Sequence, residues 1–122
     1  MTNFNLDERM IDFSVKVIRF TENLPKSNSG IYFSDQIMRS VSSAVLNYSE
    51  AQSAESRKDF IHKVKVSLKE LRETFSGLRI IEKLSKNQNE NIAWMIKENN
   101  ELISILVTSI KTARKNMNNS KC

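Results

Sequence analysis

The chain has 122 residues, with 19 lysines and arginines against 14 aspartates and glutamates, for a net charge of +5. That length supports one buried core, so a single domain over 1–122 is expected. Two glycines and one proline leave few chain breakers, which favours long helices over an all-β fold, and no apolar run approaches the roughly 20 residues of a membrane span.

The first ten residues, MTNFNLDERM, lack the basic start and apolar stretch of a signal peptide, so the expected compartment is the cytoplasm. Leu6, Met10, Phe13, Val17, Phe20 and Leu24 then keep one helical face apolar, predicting a helix over 6–24. Asn5 and Glu8 form a capping pair at its start, and Pro25 stops it before a polar loop over 26–30. Ile11, Val15 and Ile18 make a second apolar line on this helix, at i, i+4 and i+7. One helix of a bundle needs a single buried face, so the surplus line must be covered, by a wide arc inside the monomer or by a second copy.

The stretch SDQIMRSVSSAVLNYSEAQ predicts a second helix over 34–52. Its apolar set is Ile37, Val41, Ala44, Val45 and Tyr48; beside it runs a polar stripe of Gln36, Arg39, Ser40, Ser43, Asn47 and Glu50. The third helix, over 57–85, opens on Ser56 with Asp59 three residues later, a capping-box pattern. It carries Phe60, Ile61, Val64, Leu68, Leu71, Phe75 and Leu78 on one apolar face and offers Ser67, Glu70, Thr74 and Gly77 as a border facing the polar stripe of helix 2. An Arg39–Glu70 pair, with Asn47 and either Ser43 or Ser67 taking the remaining bonds, would make a hydrogen-bonded seam that fixes register. A carboxylate, a serine and an amide in a cleft could also be catalytic, but no histidine or lysine is placed as a base, so no enzyme activity is expected.

The bases of helix 3 fall on one strip. Lys58, Lys65, Lys69, Arg72, Arg79 and Lys83 lie within about a quarter-turn of one another, with His62 and Ser76 among them, over about 37 Å. Such a ridge suits a phosphate backbone; equally, lysine is the ordinary way to solvate an outer face. No aromatic residue is placed on the strip, so backbone and shape, not base stacking, are the expected readout.

After a break over 86–91, Ile92, Met95, Ile96, Leu102, Ile103, Leu106, Ile110, Ala113 and Met117 predict a fourth helix over 91–117. Trp94 and Ile105 lie away from that core stripe and, with Ile11, Val15 and Ile18, form a candidate homo-oligomer interface. Cys122 and His62 are the only cysteine and histidine, so no zinc set or internal disulfide exists, and no cofactor is expected. Four amphipathic helices with short connections predict an all-α, antiparallel up-down-up-down four-helix bundle.

Three segments, the Leu24–Pro25 pair, DQIMRSVSSAVLNYSEA over 35–51 and DFIHKVKVSLKELRET over 59–74, resemble the four-helix-bundle family of the 23S rRNA intervening-sequence proteins. Gln36, Arg39, Ser43, Asn47 and Glu50 match its helix 2 pattern; Phe60, Ser67, Leu68, Glu70 and Leu71 match its helix 3 pattern. Met38 stands where the family often has a second arginine, and Ala51 replaces its glycine, so helix 2 is expected to run on a little. The resemblance implies a small bacterial protein of unsettled biochemical role. Related bundles, such as the accessory variability determinant of diversity-generating retroelements, assemble as pentamers, so a pentamer is the favoured oligomer. The expected partner is structured RNA or DNA on the helix 3 ridge, with a protein scaffold as the alternative.

Overall fold

A computed structural model describes residues 5–85 and 90–120, with four helices: α1 Leu6–Glu22, α2 Asn28–Ala51, α3 Arg57–Leu84 and α4 Glu90–Ser120. Local chemistry sets their starts. Asn5 caps α1 by accepting from the Glu8 N–H (3.1 Å), and Ser56 caps α3 by accepting from the Asp59 N–H (3.0 Å). The acids Asp7, Glu8 and Asp59 in these first turns also favour the positive end of the helix dipole.

The start of α2 corrects the sequence expectation by six residues. Ser27, inside the supposed loop, is the true N-cap and accepts from the Gly30 N–H (3.1 Å). Gly30 is therefore a first-turn residue; a Cβ there would collide with the Pro25 carbonyl oxygen. At the other end α2 stops at Ala51, and the N–H groups of Gln52, Ser53 and Ala54 each bond the carbonyl three residues back, tightening the exit. Helix α4 starts at Glu90, inside the expected break, and continues past Asn116; residues 86–89 and Cys122 lie outside the described residues.

Cross-helix bonds fix the directions. Ser34 donates to the Thr21 carbonyl (2.9 Å) and Ser49 to Asp7 (2.9 Å), so α1 and α2 run antiparallel. Ser67 donates to the Ala44 carbonyl (2.6 Å), while the Ser40 and Thr74 hydroxyls meet at 2.7 Å, so α2 and α3 do too. Arg9 reaches Glu98 while Lys16, two turns on, lies over Trp94 further back along α4. The helices therefore surround the core in chain order, each beside its sequence neighbours, and the diagonal pairs keep their backbones apart. The most extensive packing is α2 on α3 and the thinnest is α1 on α4.

Met10, Phe13 and Val17 meet Ile37 and Val41, Val64, Leu71 and Leu78, and Met95, Leu102 and Leu106, all at 2% exposure or less. Each such side chain contributes roughly 1.5–3 kcal/mol of burial. Asn99 stands among them at 0% exposure. In the amide orientation that satisfies both groups, its nitrogen donates to the Leu71 carbonyl (3.1 Å) and its oxygen accepts from the Phe75 N–H (3.2 Å). A buried amide that needs one particular turn of the neighbouring helix selects register.

Candidate nucleic-acid interface

Because the core of α3 faces inward along Val64, Leu71 and Leu78, the strip opposite it faces water. Lys58, Lys65, Lys69, Arg72, Arg79 and Lys83 are all exposed, as are His62 and Ser76 between them. Among the described residues Lys58, Lys65, Lys69, Arg72 and Lys83 make no ion pair. Arg79 differs: it donates to Glu82 one turn away (3.1 Å), so one acid folds back onto the ridge.

Beside the middle of the ridge lies a depression of about 660 Å³ between α2 and α3. Lys65, Lys69 and Arg72 line it, together with Tyr32 and Gln36 from α2. Tyr32 is 58% exposed, and its ring meets Phe33 edge-on at 5.1 Å between centroids. The sequence reading missed this aromatic because it placed residues 28–33 outside the helix, where a side chain has no face. With α2 starting at Asn28, Tyr32, Gln36, Arg39 and Ser43 follow i, i+4, i+7 and i+11, so the signal was present in the spacing.

The seam between α2 and α3 exists, but with other anchors than expected. Arg39 does not reach Glu70; it donates to Asp35 on its own helix (2.9 Å) from a largely exposed position. Asn47 donates within α2 to the Ser43 carbonyl (2.9 Å) and hydroxyl (3.2 Å), and Gln36 is exposed. Glu50 crosses to Lys63 (2.6 Å), a bond that raises the lysine's pKa. Among the expected seam residues, Ser67 makes a buried crossing, to Ala44. The Ser40–Thr74 contact and Gly77 complete the join; a Cβ at Gly77 would lie 2.7 Å from Ile37 Cγ1.

Glu70 is left half-buried beside Glu73. Burial pushes its carboxyl above the ordinary carboxylate range, and the hydrogen bond and negative charge of Glu73 push it further, against a smaller opposing effect of Lys69. Glu73 also lines the depression, on the same helix as the lysines and one turn from Lys69.

The residues expected at an oligomer interface divide. Ile11, Ile18 and Ile105 are half-buried against the monomer's own core, which accounts for much of the surplus apolar line. Val15 (39%) and Trp94 (40%) are exposed, and Lys16 Nζ sits 4.0 Å from the Trp94 ring centroid. No described helix is long and apolar enough to cross a membrane, and no described cluster of histidine, cysteine and carboxylate residues has the form of a metal site.

Comparison with curated proteins gives no match. Among solved structures, the chain is similar to a protein of unknown function from the S23 ribosomal protein family of Bacteroides thetaiotaomicron VPI-5482. The identity is 28% and the TM-score 0.80, over 87% of this chain and 98% of that one. The model of the family described as 23S rRNA-intervening sequence protein matches residues 3–108, nearly the whole bundle. The chain belongs to the 23S rRNA-intervening sequence protein family.

Proposed function

We propose that this protein is a non-enzymatic, oligomeric nucleic-acid-binding bundle whose α3 ridge holds the sugar–phosphate backbone of structured RNA. The observation that carries this reading is the set of five exposed bases, Lys58, Lys65, Lys69, Arg72 and Lys83, without ion pairs among the described residues, on one solvent face. Solvating a helix does not need five uncompensated cations in a row, whereas binding a phosphate chain does, because each neutralised phosphate releases counterions. RNA is put before DNA because the family's name refers to 23S rRNA intervening sequences. A homo-oligomer, with a pentamer favoured, would cover Val15 and Trp94, and the cytoplasm is the compartment that supplies such a ligand.

Purification with and without nuclease, followed by anisotropy titration with a labelled RNA hairpin, tests the reading. Reversal of Lys65, Lys69 and Arg72 to glutamate is expected to abolish binding without loss of helix content. Retained affinity in that variant would remove the ridge from the function.

A second reading, a protein-interaction scaffold, is favoured by the exposed apolar residues Ile31, Tyr32, Ile80 and Leu84. Recovery of one protein partner and no nuclease-sensitive material would support it over the first.

A further inference from the structure

We propose that Tyr32 is a stacking platform for one unpaired base, so that the preferred ligand is an RNA in which a loop or bulge adjoins a duplex; this rests on the ridge reading. The juxtaposition that carries it is an exposed aromatic ring and three lysine or arginine side chains lining one depression.

The Tyr32 ring is held as well as exposed. Its edge-on contact with Phe33 restricts the orientation of the ring, while more than half of the residue remains in water. A ring that is already ordered loses little entropy when a base stacks on it. Gln36, one helical turn further along α2, is exposed in the same depression and carries both a donor and an acceptor on its amide. That pair matches the edge of a base lying on Tyr32, and a base inside a duplex cannot present both its face and its edge there.

Lys65, Lys69 and Arg72 follow one another at four and three residues, about 6 Å and about 4.5 Å along the helix. They line the same depression further along α3 and supply anion sites for the backbone that leads away from the stacked base. Glu73 borders the same depression one turn from Lys69 and repels phosphate in its immediate neighbourhood. Charge also chooses among occupants. A second copy seated symmetrically on this surface would bring its own three bases against these, in a chain already at +5. An RNA loop brings the π-face and the negative charge together.

The test compares three labelled RNAs by anisotropy: a hairpin, its fully paired duplex counterpart, and a mononucleotide as competitor. The wild type, Tyr32→Ala and Tyr32→Phe are measured, with light scattering on each. Expected are a wild-type preference for the hairpin over the duplex, and a hairpin affinity weakened about 5- to 100-fold by Tyr32→Ala. Duplex affinity and its salt dependence should stay unchanged in that variant, Tyr32→Phe should bind as the wild type does, and the mononucleotide should compete poorly. Equal losses for hairpin and duplex, no loss for either, or a change of mass in Tyr32→Ala that places the ring in a self-contact would each overturn the stacking role. Salt-independent binding, or none, would instead overturn the ridge reading beneath it.

Discussion

The Ser40 hydroxyl on α2 and the Thr74 hydroxyl on α3 lie 2.7 Å apart, both buried, at the centre of the most extensive helix–helix contact in the bundle. Each also touches a carbonyl of its own helix, Ser40 that of Ile37 (3.2 Å) and Thr74 that of Glu70 (2.9 Å). The pair is thus a satisfied polar join between two helices that approach closely because their facing residues are small. Ser40→Ala or Thr74→Val alone is expected to cost about 1 kcal/mol, and the double variant less than the sum, since removing both partners leaves no orphaned group. Urea unfolding of the three variants measures the coupling.

Gly77 has the sharper requirement. A Cβ at this position would sit 2.7 Å from Ile37 Cγ1, and Ile37 is 1% exposed with nowhere to move. Gly77→Ala is expected to destabilise by about 1–3 kcal/mol despite the better helix propensity of alanine. Ile37→Ala should cost less in the Gly77→Ala background than alone, because the new methyl fills part of the cavity; thermal unfolding of the four proteins checks this.

The thin α1–α4 contact is tied by a two-pronged ion pair: Arg9 Nε to Glu98 Oε2 and Arg9 Nη2 to Glu98 Oε1, both 2.7 Å, with Glu101 at 3.4 Å. The Glu98 hydrogen bonds are the main cause of Arg9's raised pKa. Arg9→Ala is expected to cost about 1–2 kcal/mol and to speed hydrogen exchange in α1 above the other helices. Arg9→Lys should restore little of this, since an ammonium cannot make the fork.

Glu70 predicts a pH dependence. Its folded-state pKa is raised above that of the unfolded chain, so its stabilising contribution is complete below the unfolded value of about 4.3 and is lost as pH rises through the folded value. Glu70→Gln should therefore raise the Tm at pH 7, with the gain shrinking toward pH 4. A gain that grows on acidification would contradict a Glu70 carboxyl raised by burial and by Glu73.

What could be read from the sequence depended on the range of the interaction. The caps at Asn5 and Ser56 and the exposed strip on α3 need only positions within one helix, and both follow from spacing. The partner of Arg39 did not, because Asp35, one turn back on the outer side, competes with Glu70 across the seam, and helical spacing alone does not rank them. Ser27 was hidden in a polar run beside a glycine that looked like a breaker, and Tyr32 was lost with it. Asn99 had a visible signal: Met95, Asn99, Leu102 and Leu106 follow i, i+4, i+7 and i+11, which puts the amide in the core stripe.

The most direct measurement is the slope of log affinity against log salt for an RNA hairpin, in the wild type and in Lys65→Gln/Lys69→Gln/Arg72→Gln. Five phosphate-binding bases predict a wild-type slope of about −4, becoming shallower by roughly 2–3 when three are neutralised. An unchanged slope in the variant would contradict a phosphate-binding ridge on α3.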